Sequence, residues 1–107
     1  MSGAVAFTVD RSVPLPAGGV NADDWQPDAL PWRVVLGADR GVEGMSGVVR
    51  TSAIQFADGA VDDGSRIEAP AVHVSVDVGE ALTAEQARRL VELLTAAADE
   101  IERMLPT

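Results

Sequence analysis

The stretch that decides the fold is residues 82–105, LTAEQARRLVELLTAAADEIERML. Thr83 is a good N-cap and Gln86 completes a capping box, so the helix is predicted to span 83–105 and to stop at Pro106. At about 100° per residue, its apolar side chains fill one arc of roughly 160°, which favours packing on a sheet over a two-stranded coiled-coil seam. The arc contains Ala87, Leu90, Val91, Leu93, Leu94, Ala97, Ala98, Ile101, Met104 and Leu105.

The remaining arc of the helix is charged and is predicted to face solvent. It contains Glu85, Arg88, Arg89, Glu92, Asp99, Glu100, Glu102 and Arg103. Opposite charges four residues apart stabilise such a helix by only a few tenths of a kcal/mol per pair. A second interpretation of the apolar arc remains open, in which part of it faces a twin helix or a partner protein instead of the chain's own sheet.

The strand that precedes the helix, residues 71–78, alternates cleanly between apolar and polar side chains. Its valine face, made of Val72, Val74, Val76 and Val78, is the predicted partner of the helix. Three more strands are predicted at 4–9, 32–37 and 47–57, and the Asp-Gly pairs at 58–59 and 63–64 indicate tight turns. The sequence therefore predicts one α+β domain, an antiparallel sheet of four to five strands with one C-terminal helix across one face.

Residues 10–31 contain four of the six prolines and four acidic residues, which predicts a long loop or an extended arm. Trp25 in this arm is interpreted as a plug on the edge of the core. One helix leaves the second face of the sheet uncovered, and we expect that face, with Val35, Val49 and Ala53, to be buried in a homodimer. The candidate partner contacts are Trp25, Trp32, Val35, Val49 and His73.

Composition excludes several classes of function. The formal charge is −9, with 17 acidic residues against eight arginines, so direct binding to nucleic acid is not expected. The absence of cysteine excludes disulfides, thiolate metal sites and cysteine nucleophiles. No signal peptide and no apolar run of membrane-spanning length is present, which predicts a cytoplasmic protein that does not associate with membranes.

The candidate catalytic and metal-binding motifs are weak. His73, Ser75 and Asp77 share one face of a strand but stand about 6.5 Å apart along it, whereas a catalytic triad needs contacts near 3 Å. The acidic residues of DGAVDDG lack the spacing of a calcium loop, and those of the arm form no ligand set, so all are interpreted as turn residues: Asp23, Asp24, Asp58, Asp62 and Asp63. We therefore predict no catalytic, cofactor-binding or metal-binding residues, no cofactor and no enzymatic activity.

The second half of the chain, residues 50–105, carries a recognisable pattern. Gln55, Phe56, Asp58 and Gly59 form a Q-F-x-D-G turn, and a terminal helix follows with Leu82, Thr83, Gln86, Ala87, Arg88, Leu90, Leu94, Ala97, Ala98, Asp99 and Glu100. This pattern resembles a group of small uncharacterised actinobacterial and actinophage or prophage proteins. The resemblance implies the same layout and a bacterial or phage cytoplasmic setting, and it implies no activity.

The function predicted from the sequence is that of a non-enzymatic protein-interaction or regulatory protein that forms a homodimer. One alternative is an acidic inhibitor that competes with nucleic acid for the basic surface of a partner. A weaker alternative is an enzyme that uses His73.

Overall fold

The computed structural model describes residues 9–77 and 79–106. The elements are β1 Gly19–Ala22, β2 Trp32–Gly37, β3 Arg40–Gly41, β4 Val48–Phe56, β5 Ala71–Ser75 and α1 Ala84–Met104. All the strand pairs are antiparallel, and α1 packs on β4 and β5. The predicted α+β class, with one sheet and a C-terminal helix across it, is confirmed. Within the described ranges, no helix is both long and apolar enough to cross a membrane.

The long strand β4 is the centre of the sheet. Its residue Ser52 pairs with Leu36 of β2 along one edge and with Ala71 of β5 along the other. The short strand β3 follows β2 and continues along the same edge of β4, because Val48 and Val49 pair with β3 on one side and with β5 on the other. β1 adds to the far edge of β2, which leaves β1 and β5 at the two ends of the sheet.

One predicted segment differs from the structure, and another lies almost entirely outside the described residues. The arm at 10–31 contains the strand β1, which the sequence did not predict because GVNA has no apolar alternation. β1 forms because its backbone pairs with β2, with a shift in register between Gly19 and Asn21. The predicted strand at 4–9 lies outside the described residues, except for Val9, which belongs to no strand.

The prediction that Val35, Val49 and Ala53 line an uncovered face of the sheet is wrong. These residues lie on the face that α1 covers, and Val35 and Val49 are 0% and 1% exposed. Val49 forms a core cluster with Val42, Leu93 and Ala97. Alternation along β2 and β4 identifies two faces, but a sequence gives no sign of which one the helix will cover.

The opposite face of the sheet carries Trp32 and Phe56, which pair with each other across β2 and β4. The loop after β4 turns back over Phe56, so that the Arg66 guanidinium lies 4.4 Å from the centre of the phenyl ring. Phe56 and its neighbour Ile54 are buried in consequence. The second face is therefore covered at the end of β4 by the chain's own loop.

Asp62 organises that loop. Its carboxylate accepts hydrogen bonds from four backbone N–H groups, those of Gly64, Arg66, Ile67 and Glu68. Burial raises the pKa of this carboxyl, but the four donors lower it by more, so the pKa lies below its usual value. The interpretation of Asp58, Asp62 and Asp63 as turn residues agrees with these contacts and with the N–H groups that Asp58 and Asp63 accept.

The helix begins as predicted, with both hydrogen bonds of the Thr83–Gln86 capping box formed. Its buried residues are Leu93, Ala97, Glu100 and Met104, which we call the inner stripe. The prediction that Glu100 faces solvent is wrong, because it lies seven residues after Leu93 and so on the same side of the helix. Ala97 is 0% exposed, and its small side chain lets the helix approach β4 closely.

The proline-rich arm docks beyond the end of the helix, over the buried guanidinium of Arg33. The two terminal nitrogens of Arg33 donate to the backbone carbonyls of Asp10 and Val13, each at 2.8 Å, while Nε donates to Gln55. The Trp25 ring stacks over the guanidinium at 4.3 Å and donates its indole N–H to Asp10. The arm therefore covers the part of the sheet that α1 does not reach.

The contact between Asp10 and Trp25 is expected to break in acid. Hydrogen bonds from the Ser12 hydroxyl and from Trp25 hold the pKa of Asp10 at about 2, below its ordinary value of 3.8. Because the pKa is depressed in the folded state, the stabilisation is complete above pH 3.8 and is lost as the pH falls through 2. In a Trp32→Phe background, Trp25 fluorescence should change over that interval. The same change in the Asp10→Asn variant would show that another group is responsible.

Candidate interaction surface

The helix carries a second apolar stripe that the rest of the described chain buries only in part. It consists of Ala87, Val91, Leu94, Ala98, Ile101 and Leu105, and we call it the outer stripe. The spacing alternates between four and three residues, which is the heptad spacing of helices that pair side by side. At 100° per residue, the outer stripe lies about 110° around the helix from the inner stripe. Val91, on the solvent side of the outer stripe, is 61% exposed.

The outer stripe lies on the side of the helix that is nearest to β5, the last strand of the sheet. Leu94 and Val72 both pack against the edge of the core cluster, and Leu90, between the two stripes, lies near Val76. The other flank of the helix faces the opposite way, since Arg89 and Glu92 line a surface depression together with Val42 and Glu43, which follow β3. The outer stripe is therefore on the β5 side of the molecule.

Within the described part of the chain, β5 offers an unpaired edge and apolar side chains. Across residues 9–77 and 79–106, β4 is the only strand that pairs with it. Val72 is half-buried, but Val74 is 47% exposed and Val76, just beyond the strand, is 44% exposed. Val74 lies on the helix side of the sheet because it pairs directly with the buried Val49. The valine face predicted to meet the helix is thus covered at Val72 and exposed at Val74 and Val76, whereas Val78 lies outside the described residues.

A groove lies between the segment that follows β5 and the first turns of α1. It has a volume of about 280 Å³, and its lining combines the apolar Met45, Val76, Leu82 and Leu90 with the acidic Asp77 and Glu80. Val76 and Leu82, which line this groove, are both more than a third exposed, and so are Val74, two residues before Val76, and Val91, the residue after Leu90. We call the outer stripe, the exposed valines and the edge of β5 together the flank surface. Contiguous apolar surfaces of this kind mark interaction sites.

Charged side chains border the outer stripe on its solvent side. Arg88 lies near one end and Glu102 near the other, and both are exposed. Among the described residues, neither has an ion-pair partner, whereas the neighbouring Arg89 donates to Glu92 at 2.7 Å. The border of the flank surface therefore carries one unpaired charge of each sign.

A buried ionic cluster fixes the helix in its orientation above the sheet. The Glu100 carboxylate accepts a hydrogen bond from the Thr51 hydroxyl at 2.7 Å and forms an ion pair with Arg40. Thr51 belongs to β4 and Arg40 to β3, so one side chain of α1 joins two strands. This anchor keeps the inner stripe on the sheet and turns the outer stripe toward β5.

The structure separates the two tryptophans among the predicted partner contacts. Trp25 lies on the helix side of the sheet, stacked on Arg33, and its interpretation as a plug on the core edge agrees with this position. Trp32 is half-buried on the opposite face. Val35 and Val49 are core residues, so the five candidates do not form one surface.

His73 has a hydrogen-bond partner that the sequence did not indicate. Its Nε2 lies 2.6 Å from the Ser52 hydroxyl on the neighbouring strand, on the face away from the helix. A histidine in this position can polarise a serine, but activation also needs a third group to orient the imidazole. No carboxylate of residues 9–77 and 79–106 hydrogen-bonds to His73, which is exposed. We therefore interpret the contact as a cross-strand polar pair.

The chain has no significant match to any protein-family model, to any curated protein or to any solved structure. The resemblance of residues 50–105 to small actinobacterial and phage proteins therefore stays a prediction. Within the described ranges, no group of three or more histidine and acidic side chains could hold a metal ion.

Proposed function

We propose that the chain is a non-enzymatic protein-interaction or regulatory protein, and that it binds its partner through the flank surface. The observation that carries this proposal is the exposure of Val74 and Val76, beside an edge of β5 that no described strand pairs with, together with the exposure of Val91 on α1. Burying a valine is worth about 1.5 kcal/mol or more, so three of them provide a favourable contact. A bacterial or phage cytoplasmic setting is part of the proposal and is supported only by the sequence resemblance.

The alternative function, an acidic inhibitor, requires a surface whose charged side chains are predominantly negative. The exposed face of α1 does not supply it, because Arg88, Arg89 and Arg103 lie among the acidic residues there. Competition with nucleic acid would also give a binding energy that falls steeply with salt. The apolar flank surface favours a contact that depends little on salt.

The proposed binding surface can be tested by capture with three forms of the tagged chain, using cells that express it. We expect the wild type to retain a bound protein, either a second copy or another polypeptide. Val91→Asp should lose it, because the charge would be buried in the contact. Val20→Asp is the matched control, since Val20 is 55% exposed but lies on β1, at the other end of the sheet. Identical proteins bound to all three forms would contradict the proposal.

A further inference from the structure

We propose that the occupant of the flank surface is a second copy of this chain, with the two α1 helices side by side and antiparallel. This inference rests on the proposed function and names its partner. A twofold axis would pass near Ala96, at the middle of the helix, and each outer stripe would cover the other. Three features of the outer stripe and its borders support self-association: its side-chain volumes, its charges and its position beside β5.

The side-chain volumes of the two outer stripes are complementary when the helices pair antiparallel with the axis near Ala96. The small Ala98 then faces the large Leu94 of the partner subunit, and Ala87 faces Leu105 of the partner subunit. Val91 faces Ile101 of the partner subunit at the intervening layer. Each contact occurs twice through the symmetry, and the alternation of large and small side chains is the pattern that packs without voids. A parallel pair would place Ala98 against Ala98 and leave a gap at the centre.

The charges at the border are complementary in the same arrangement. Arg88 faces Glu102 of the partner subunit, and the symmetry gives the pair twice. Neither side chain has an ion-pair partner within the described part of its own chain. Positions 88, 95 and 102 lie seven residues apart along one border of the outer stripe. In an antiparallel pair this border of one helix meets the same border of the other in reverse order, so position 88 faces position 102. The only other member of this set is Thr95, which would meet its own copy near the axis.

The position of β5 fits the same symmetry. Because the outer stripe lies on the β5 side of the molecule, the axis that pairs the helices brings the two β5 edges, which no described strand covers, toward each other. Val74 and Val76 then lie beneath the helix pair and are removed from water. The arrangement would also protect an exposed strand edge, which proteins otherwise shield from unwanted pairing.

The proposal can be tested by reversing the charges one at a time and then together. In one chain, Arg88 and Glu102 are fourteen residues apart, about 21 Å along the helix, so they cannot interact directly. Arg88→Glu and Glu102→Arg should each weaken the dimer about tenfold, because each creates two like-charge contacts. The double variant Arg88→Glu/Glu102→Arg should restore the wild-type dissociation constant, measured by sedimentation equilibrium.

Restoration of the wild-type dissociation constant in the double variant supports an antiparallel homodimer. Positions 88 and 102 of one chain are too far apart to interact, so only a contact between two chains can explain the rescue. A double variant as weak as the single variants would overturn the proposal. A wild-type chain that stays monomeric at about 100 µM would also overturn it, since functional complexes dissociate at micromolar concentrations or below. If that monomer still captures another protein in a manner that Val91→Asp abolishes, the proposed function stands and only the second copy is excluded.

Discussion

Replacing Leu93 with aspartate is expected to unfold the domain at room temperature. Leu93 is 7% exposed and packs with Val42, Val49 and Ala97 in the core cluster. The substitution removes about 2–3 kcal/mol of apolar burial and adds the cost of a charge without a partner in the core. A small domain of this kind is expected near the lower end of the usual range of about 5–15 kcal/mol, so the two effects together remove most or all of its stability. Far-UV circular dichroism should show loss of the helix.

Val91→Asp is the matched control for this prediction, since it places the same charge two residues away on the same helix. Val91 is exposed on the outer stripe, so the variant should keep its helix and its cooperative unfolding. Unfolding of both variants, or of neither, would contradict the assignment of the two stripes to different contacts.

Replacing Glu100 with alanine is expected to lower the free energy of unfolding by about 3 kcal/mol. The substitution leaves Arg40 without its ion-pair partner, and about one-fifth of the Arg40 side chain is exposed. It also leaves the Thr51 hydroxyl, which is fully buried, without its hydrogen-bond acceptor. The residual exposure of Arg40 places the expected loss at the lower end of the range for broken buried pairs. Urea denaturation measures the change.

Asp99→Ala is the control for the Glu100 prediction, because Asp99 is the preceding residue of α1 and is exposed. Its replacement should change the free energy of unfolding by no more than about 0.5 kcal/mol. Equal midpoints for the two variants would show that the cluster of Arg40, Thr51 and Glu100 does not hold the helix on the sheet.

Much of the fold follows from local patterns in the sequence. The capping box at Thr83 and Gln86 predicted the start of α1, and alternation predicted β2, β4 and β5 close to their observed bounds. These patterns suffice because they reflect local backbone preferences and the two-residue period of strands. β1 was missed because its formation depends on the edge of β2 and not on its own side chains.

The face of the sheet that binds the helix could not be predicted in the same way. Val35 and Leu36 are both apolar, and alternation places them on opposite faces without saying which face the helix covers. The helix itself contained a usable signal, since Leu93, Ala97, Glu100 and Met104 fall on one line with four- and three-residue spacing. Glu100 concealed that line, because a charged residue is expected on the solvent side unless its partners are known.

The apolar arc of α1 is wide because two surfaces share it. The inner stripe meets the sheet, and the outer stripe remains for another contact. The sequence prediction left open whether part of the arc faces a twin helix, and the exposure of Val91 is the observation that favours that alternative. The proposed contact thus moves from the second face of the sheet to the flank of the helix.

The most direct measurement is the distance between nitroxide labels in two copies of the chain, placed at Thr95→Cys or at Ala84→Cys and measured by pulsed electron paramagnetic resonance. The chain has no cysteine, so each variant carries a single label. An antiparallel pair centred at Ala96 should bring the labels at 95 within about 20 Å and hold those at 84 about 35 Å apart. Equal distances at the two positions, as in a parallel pair, or no dipolar coupling at either, would contradict the proposed antiparallel homodimer.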